Sequence, residues 1–498
     1  MIGNILYASS YGALSSPSGD IWFLVGVARG VERLFPTDPL QIFLPLLGFL
    51  GVTPLFFALV LLSNALHLFT LWLLFGVLVE FFSDEWAALW SCALFTLSVM
   101  GGFTFCTGDF PHAQESLPVL VGLMWSGRRF MTAPTPRDRL RAAGTIAALL
   151  LLGAILGPDV LVITTLAAPS AMLWHFRRFM DPFIRHAMGT MLLALYFTTI
   201  ALAAPHLVKA IAYGAQVFRG VNLEAAQELH LGDFAGLAWM DLLGLYGPAY
   251  LIFAVLGLWA WSNGRLSELA LISTGVIFAT VAARFFVIAE FGFAALLCWA
   301  LARPLRLATV TKHTVGAAFL AAMLCYASWK GTPCAFPGDY VNALRSLERD
   351  PHQNKLVLCT PAYGALVRAV SEAQPTSEIY AVQPDWIRIA MLPADDAIRE
   401  LATKKVTHLF LTSGDLSRKP EREILNDAEP AFRGSGGFAA WVNEMPPEKI
   451  TASLAYQALY GKTPLLGLTK LREIYLDSTD QRAVLGRMAP AIPSTETP

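Results

Sequence analysis

The sequence predicts a mainly α-helical protein, with a polytopic membrane domain of about ten spans followed by a small extracytoplasmic α/β domain. Three observations predict this fold class. First, 55% of the 498 residues are hydrophobic and 15% are charged, whereas soluble proteins carry about 25% charged residues. Second, long apolar runs alternate with loops that hold most of the Lys and Arg. Third, beyond residue 330 the pattern changes to short β-rich runs around an amphipathic segment.

Apolar runs bounded by Pro, Gly or charged residues predict the membrane domain, which we assign to residues 1–329. Several runs are shorter than the roughly 20 residues that a full crossing requires, so their bounds are approximate. Two earlier segments, 20–35 and 39–50, are short and interrupted, and we expect them to lie in the outer interface with their apolar faces on lipid. The predicted spans are 56–82, 86–103, 112–126, 142–157, 160–175, 187–204, 246–262, 269–283, 285–302 and 314–329.

The distribution of basic residues predicts the orientation in the membrane. Four loops hold nearly all the Lys and Arg between spans, and the positive-inside rule makes them cytoplasmic. They are 126–141, 175–186, 262–266 and 303–313. Ten crossings then place the N-terminus and residues 330–498 outside a membrane that we predict to be the bacterial inner (cytoplasmic) membrane. Arg29 and Arg33 would lie outside as well, against the rule, which leaves open whether a first transmembrane helix precedes residue 1.

The C-terminal domain, residues 330–498, has the alternation of an α/β fold. KLVLCT (355–360) and THLFLT (407–412) are short and apolar, which predicts strands. Between them, DDAIRELATKK (395–405) has the spacing of an amphipathic helix. Strands that alternate with helices are typical of α/β domains. The net charge of −1 offers no basic surface, so we expect no nucleic-acid partner.

Acidic residues in the predicted outer segments are the first candidates for chemistry. Asp20 opens an apolar helical segment, and it is either a helix N-cap or a carboxylate that faces water at the membrane surface. TGDFPHAQES (107–116) joins two spans on the outer side and carries Asp109 and Glu115. This stretch is either a solvated turn or a site for a divalent cation, because hard cations prefer carboxylate oxygens.

Three further charged residues lie on or near the same predicted face. Glu228 belongs to loop 205–245, which is long for a membrane hairpin, and long loops are often functional. Arg284 lies at the outer end of a span, where it either snorkels to the interface or holds an anionic lipid head group. Glu290 lies within the membrane, where a charged side chain usually has a paired or functional role. The co-location of the acids and Arg284 on one face indicates a site.

The order of these pieces, from about residue 16 to 477, resembles the catalytic subunit of oligosaccharyltransferases. These enzymes belong to the C-type glycosyltransferases, which span the membrane many times and use polyprenyl-phosphate-linked sugars. In that family an acid in the first external loop opens a D-x-[YW]-[YF] stretch, and an A-R pair follows. This sequence has DIWF at 20–23 and AR at 28–29. The family also has an R-F pair near the end of its membrane part, which RF at 284–285 matches.

Three other family motifs are kept in part. In the place of the second acidic motif, G-x-x-D-x-[DE], Asp109 comes too early and Glu115 too late. Of the T-I-x-E motif in the long external loop, Glu228 alone remains. Of the W-W-D-Y-G motif that reads the acceptor sequon, TPAYG (360–364) keeps Tyr363 and the glycine that follows it.

The resemblance implies a glycosyltransferase that moves a sugar or oligosaccharide from a polyprenyl-phosphate-type lipid donor to an acceptor at the outer membrane face. The acceptor is a glycan, a lipid or a protein, and the cofactor is Mg²⁺ or Mn²⁺. The resemblance assigns catalysis to Asp20, Glu115 and Glu228, metal binding to Asp20, Asp109 and Glu115, lipid-phosphate binding to Arg284, and the acceptor side to Glu228 and Tyr363. Two alternatives remain open: a polytopic transporter or lipid flippase, and a non-catalytic relative of these enzymes.

The predicted orientation can be checked by cysteine labelling from the two sides of the membrane. In a Thr135→Cys variant, the new thiol lies in a basic loop and should react with a membrane-impermeant maleimide only from the cytoplasm. In a Gly232→Cys variant, the thiol lies in loop 205–245 and should react only from outside. Labelling of both positions from the same side would contradict the orientation.

Overall fold

The structure is a computed structural model, and it describes the following parts of the chain: 14, 20–31, 44–97, 116–156, scattered positions between 191 and 207, 249–263, 265–281, 286–302, scattered positions between 311 and 321, 337–350, 354–359, 361–376, 389–390, 392–412, 451–476 and 481–489. Before residue 337 these parts are almost entirely helical, as the predicted mainly α class requires.

The described helices of this first part follow the apolar runs of the sequence. They are α1 (Asp20–Ala28), α2 (Val52–Phe82), α3 (Glu85–Leu97), α4 (Ser116–Thr132), α5 (Pro136–Leu156), α6 (Ala249–Ser262), α7 (Leu266–Ala279) and α8 (Phe286–Ala302), with a 3₁₀-helix at Leu44–Leu47. Each helix from α2 to α8 overlaps one predicted span. The spans predicted at 160–175, 187–204 and 314–329 lie wholly or largely outside the described residues, so the number of spans stays a prediction.

Within the described residues, α2 is the one helix that is long and apolar enough to cross a membrane. Its 31 residues extend for about 46 Å at 1.5 Å per residue, which exceeds the roughly 30 Å of a bilayer hydrocarbon core. The helix ends at Ser83, whose backbone is left-handed with φ 57°. Shorter apolar helices occur at Ile252–Ser262, Glu268–Ala279 and Phe286–Ala302.

The helix α8 lies at the centre of the described helical part. Its residues from Phe286 to Leu301 are all buried, and Glu290 is one of them. A helix that is apolar on all sides needs neighbours on all sides, and α3, α7, α2 and α6 supply them. Glu290 is thus buried among these helices, and its position within the membrane stays a prediction.

Two glycines allow α7 and α8 to approach each other closely. A Cβ atom at Gly275 would lie 2.1 Å from the backbone nitrogen of Ala289, and one at Gly292 would lie 2.6 Å from Cγ1 of Ile272. Both contacts are too short for any side chain, so these positions require glycine. Small residues at such contacts are the usual means by which membrane helices pack backbone to backbone.

One end of the helical part gathers the ends of α2, α4 and α8 and the start of α7. The guanidinium of Arg265, at the start of α7, lies 5.3 Å from the ring centre of Phe82 and 5.2 Å from that of Trp299. Near the end of α2, Glu80 accepts a hydrogen bond from the indole of Trp125 in α4. Two of the predicted cytoplasmic loops, those after α4 and before α7, belong to this end, which we call the basic end.

The C-terminal part is built on a five-stranded mixed sheet. Its described elements are α9 (Gly338–Arg345), β1 (Leu356–Leu358), α10 (Pro361–Ser371), β2 (Gln374–Pro375), α11 (Ala394–Thr403), β3 (His408–Thr412), α12 (Leu454–Tyr460), β4 (Leu468–Leu476) and β5 (Gln481–Met488). The strand order is β2-β1-β3-β5-β4. The β1 strand pairs in parallel with β2 and β3, whereas β5 pairs antiparallel with β3 and β4. The strands predicted from KLVLCT and THLFLT are β1 and β3, and the predicted amphipathic helix is α11.

The C-terminal part rests on the end of α2 that is opposite the basic end. Nη2 of Arg345 in α9 donates a hydrogen bond of 2.6 Å to Oγ1 of Thr53, in the first turn of α2. Apolar residues of α1, of the start of α2 and of α9, α10 and β3 form one hydrophobic cluster. The core of the C-terminal part therefore includes a helix from the beginning of the chain.

The tight α7–α8 contact predicts that Gly275→Ala destabilises the protein. The added methyl group meets the backbone of α8, and overpacking of this kind costs about 1–3 kcal/mol. The thermal midpoint of the purified protein in detergent should fall.

The control is Gly144→Ala in α5, where a Cβ atom meets nothing within 4 Å. Alanine has the higher helix propensity, so this variant should be as stable as the wild type or more so. Equal thermal midpoints for the two variants would contradict the backbone-to-backbone contact.

Candidate functional site

The helix α1 begins at Asp20, the first carboxylate of the predicted site. An acidic residue is favoured at the start of a helix because the first amides have no helical partner and the dipole is positive there. The described part of Asp20 is its backbone. The structure therefore places the start of α1, and the role of the Asp20 carboxylate stays a prediction.

Protein surrounds α1 on nearly all sides. Ile21, Trp22 and Val25 are 0% exposed, and the ring centre of Trp22 lies 5.0 Å from that of Phe56 in α2. The expectation that segment 20–35 rests its apolar face on lipid is therefore wrong for α1. The helix α10 and the start of α2 cover that face instead, and burial of each large apolar side chain contributes about 1.5–3 kcal/mol.

The described residues 44–51, just before α2, are apolar, and several of them are exposed. Leu46 and Phe49 are 69% and 82% exposed, as expected of side chains that meet lipid at an interface. Gly48 holds this segment against α1, since a Cβ atom there would lie 2.3 Å from the carbonyl oxygen of Ala28.

The helix α10 begins at Pro361, directly after β1, where the sequence resembles the acceptor-reading motif. Tyr363 is 2% exposed, and its ring meets the rings of Tyr340 and Phe410 edge-on at centroid distances of 5.9 and 5.5 Å. The ring of Tyr363 thus belongs to the core and anchors the first turn of α10. Its predicted role on the acceptor side stays a prediction.

Hydrogen bonds join the C-terminal ends of α1 and α10. Nη1 of Arg29 donates to the carbonyl oxygen of Ala369 at 2.5 Å, and Nη2 pairs with the carboxylate of Glu372. In the opposite direction, Nη1 of Arg368 donates to the carbonyl oxygen of Val31 at 3.5 Å. The sequence singled out Arg29 as half of an A-R pair, but no local pattern could reveal partners more than 330 residues away.

Four predicted site residues lie outside the described residues: Asp109, Glu115, Glu228 and Arg284. The helices next to two of them are described. The helix α4 begins at Ser116, directly after Glu115, and α8 begins at Phe286, two residues after Arg284. Because α4 and α8 end at the basic end, their first residues lie farther from that end. The helix α1 packs on the first turns of α2, which has 31 residues against 17 for each of α4 and α8.

The described residues contain no group of three or more His, Cys, Asp or Glu side chains that could hold a metal ion. The predicted ligands Asp20, Asp109 and Glu115 are not among the described side chains, so this finding leaves the predicted metal site a prediction. Carboxylate oxygens are in any case the donor type that suits Mg²⁺ and Mn²⁺.

The fold is similar to that of the archaeal oligosaccharyltransferase AglB from Archaeoglobus fulgidus. A structure of that protein in complex with an inhibitory peptide and a dolichol-phosphate matches with a TM-score of 0.60 and 10% identity, over 95% of this chain and 79% of that chain. A structure tethered to an acceptor peptide with an NVT sequon gives a TM-score of 0.56 at 10% identity, over 95% and 78% of the two chains. A complex with zinc and sulfate gives 0.55 at 12% identity, with the same coverage.

The similarity extends over nearly the whole chain, including both the helical part and the C-terminal part. At 10–12% identity it establishes a shared fold. The resemblance predicted from the sequence is thus confirmed at the level of the fold. No family model matches the sequence, and no curated protein matches it either.

The packing of Tyr363 predicts different outcomes for two substitutions. Tyr363→Ala removes a ring from the core and should lower the free energy of unfolding by about 3–5 kcal/mol. Tyr363→Phe keeps the ring and should cost no more than about 1.5 kcal/mol, the usual range for one hydrogen bond. Thermal unfolding of the purified variants measures both, and equal losses would show that the hydroxyl group, and not the ring, holds α10.

Proposed function

We propose that the chain is a membrane glycosyltransferase that transfers a sugar or oligosaccharide from a polyprenyl-phosphate-type lipid to an acceptor at the outer membrane face. One observation carries the proposal. The helices α2, α4 and α8 all run towards the basic end, and α1, which begins at Asp20, packs on the first turns of α2. We therefore propose that Glu115 and Arg284, which precede α4 and α8, lie on the side away from the basic end. The C-terminal part rests on that same side, through Arg345 and Thr53. Such an arrangement brings a donor site and an acceptor site to one membrane surface.

The proposed donor is a sugar linked to a polyprenyl phosphate. Dolichol-phosphate, which is bound in one of the similar structures, belongs to this class of lipid. Arg284 supplies the phosphate contact, since a guanidinium forms charge-assisted and often bidentate hydrogen bonds with phosphate oxygens. Its place next to the start of α8 lets the lipid phosphate remain at the surface while the polyprenyl chain stays among the helices.

The proposed reaction breaks the bond between the anomeric carbon and the phosphate oxygen. The acceptor oxygen or nitrogen forms a new bond to the anomeric carbon, and the electron pair of the broken bond leaves on the lipid phosphate. Glu228, assisted by Asp20 or Glu115, orients the acceptor and takes its proton. Asp20 together with Asp109 or Glu115 would hold Mg²⁺ or Mn²⁺, which supplies positive charge beside the leaving phosphate.

The proposed acceptor site lies between Glu228 and the start of α10. Tyr363 acts there by anchoring the first turn of α10, because its ring is enclosed by Tyr340 and Phe410. One of the similar structures holds an acceptor peptide with an NVT sequon, so a protein acceptor is one of the three classes that we propose, besides a glycan and a lipid.

The proposed setting is the bacterial inner membrane, with residues 1–329 in the membrane and residues 330–498 outside. The apolar helix α2 and the position of the C-terminal part at the end opposite the basic loops support this arrangement. About ten spans follow from the apolar runs of the sequence, and a cytoplasmic basic end follows from the positive-inside rule.

The experiment that tests this function is release of polyprenyl phosphate by the purified full chain. A panel of sugars on short-chain polyprenyl phosphates and diphosphates is incubated with the protein and with Mg²⁺ or Mn²⁺, and water serves as the acceptor. Cleavage at the anomeric carbon then yields the free sugar together with polyprenyl phosphate or polyprenyl diphosphate, according to the donor. We expect release by the wild type and a loss of at least about 100-fold with Asp20→Asn, since electrostatic stabilisation of a leaving group typically contributes that much.

The matched control for that experiment is Asp339→Asn, which removes an exposed acid from α9 on the same predicted side. This variant should release polyprenyl phosphate at the wild-type rate. A wild-type protein that releases none would favour a transporter or a non-catalytic relative, and a fully active Asp20→Asn variant would remove Asp20 from the site.

The acceptor segment generates a separate prediction. Thr360, Pro361 and Ala362 occupy the place of the family's Trp-Trp-Asp, so the acid that can bond to a sequon hydroxyl is missing. A site without such a group does not penalise loss of the hydroxyl, because no buried polar group is left unpaired. We expect an Asn-X-Thr peptide and its Asn-X-Ala counterpart to be equally poor acceptors. Selective glycosylation of the Thr peptide, measured by mass spectrometry, would contradict this expectation.

A further inference from the structure

The ends of α1 and α10 are both closed by a residue with left-handed backbone. At α1 this residue is Gly30, with φ +71°, and the amide of Val31 donates to the carbonyl oxygen of Gly26 at 3.0 Å. Glycine is the usual residue at such a helix end. At α10 the residue is Glu372, with φ 56°, whose amide donates to the carbonyl oxygen of Arg368. A residue with a Cβ atom is disfavoured in this conformation, so the choice of Glu requires a reason.

The side chain of Glu372 provides that reason. Its carboxylate pairs with Arg29, and the same guanidinium donates to the carbonyl oxygen of Ala369 in the last turn of α10. Arg29 thus supplies a positive charge where the helix dipole of α10 is negative and where the last carbonyls have no helical partner. Arg368 returns a hydrogen bond to Val31, just beyond the end of α1. Each helix therefore closes the end of the other.

The surface of α1 explains why such contacts are needed. The residues that α1 buries are apolar, among them Ile21, Trp22 and Val25. Apolar burial is non-directional, so packing alone allows a short helix to slide or turn between its neighbours. Charged hydrogen bonds have defined geometry. The side chain of Arg29 is 18% exposed and that of Glu372 is 60% exposed, so screening by water is weaker at the contact with Ala369 than at the pair with Glu372.

We propose that Arg29 and Glu372 are positioning residues that fix the register of α1 against α10. The catalytic consequence rests on the proposed function. We call the contacts of Arg29 with Ala369 and Glu372 the joint. From the joint, α1 with 9 residues and α10 with 11 residues extend for about 14 and 16 Å to their first residues, Asp20 and Pro361. A fixed register at the joint therefore fixes the proposed donor-side carboxylate relative to the proposed acceptor segment.

Hydrogen exchange of the purified full chain tests the joint itself. Arg29→Ala should accelerate exchange of the amides at 25–31 and at 369–373 by about tenfold or more, as expected for loss of hydrogen bonds to a charged group. Glu372→Gly should accelerate exchange at both helix ends by about threefold or more, although it relieves the left-handed backbone.

A matched control measures how hydrogen exchange changes when glycine replaces a left-handed residue that lacks this ion pair. Lys405 is also left-handed, with φ 58°, and it is exposed just beyond α11. Lys405→Gly should leave exchange at its helix end unchanged or slower. Wild-type exchange at α1 in both Arg29→Ala and Glu372→Gly would overturn the proposal.

Kinetics test the positioning role. With a short-chain polyprenyl-phosphate-linked sugar as the probe, Arg29→Ala should lower kcat for release of polyprenyl phosphate about tenfold or more, and KM for the donor should stay within about twofold. Arg29→Lys should recover only part of kcat. The ammonium group keeps the positive charge, but it lacks the two-pronged geometry with which the guanidinium donates to both Ala369 and Glu372.

The outcomes separate this proposal from the proposed function. A wild type that releases no polyprenyl phosphate would overturn the glycosyltransferase, whereas hydrogen exchange would still decide whether Arg29 and Glu372 fix the register. Faster exchange in Arg29→Ala together with wild-type kcat would show a structural joint and overturn the positioning role.

Discussion

The structure depends most on the burial of α1 between the start of α2 and α10. This short apolar helix lies at the beginning of the chain, yet it completes the hydrophobic core of the C-terminal part. Trp22 packs on Phe56 on one side, and the hydrogen bonds of Arg29 and Arg368 join α1 to α10 on the other. Because one helix belongs to both parts, the C-terminal part is held against the helical part by packing as well as by the chain connection.

The basic end of the helical part is stabilised by interactions of a different kind. Arg265 lies there between the rings of Phe82 and Trp299, and two of the four basic loops, those after α4 and before α7, belong to this end. Between the two ends lie apolar helices around α8. The helices α2, α4 and α8 all run towards the basic end. Our proposal that Glu115 and Arg284 lie on the side away from the basic end rests on this shared direction.

The sequence predicts well what depends on local periodicity. The helices α2 to α8, the strands β1 and β3 and the helix α11 follow from apolar runs and spacing. The position of α1 does not, because an apolar segment has the same pattern whether lipid or α10 covers it. The β4–β5 hairpin was not predicted either: the irregularity between Lys470 and Arg472 interrupts the alternation of β4. The partners of Arg29 lie 340 and 343 positions away in the chain, beyond the reach of any local signal.

Photo-crosslinking tests the central claim, that a lipid-linked donor binds at the end where α1 and the C-terminal part meet. A short-chain polyprenyl phosphate with a diazirine beside the phosphate is bound to the purified full chain and activated by light, and the labelled peptides are identified by mass spectrometry. Our account predicts labels around Arg284 and in or next to α1, competed by unmodified polyprenyl phosphate. Labels confined to the basic loops, such as 126–141, would contradict it.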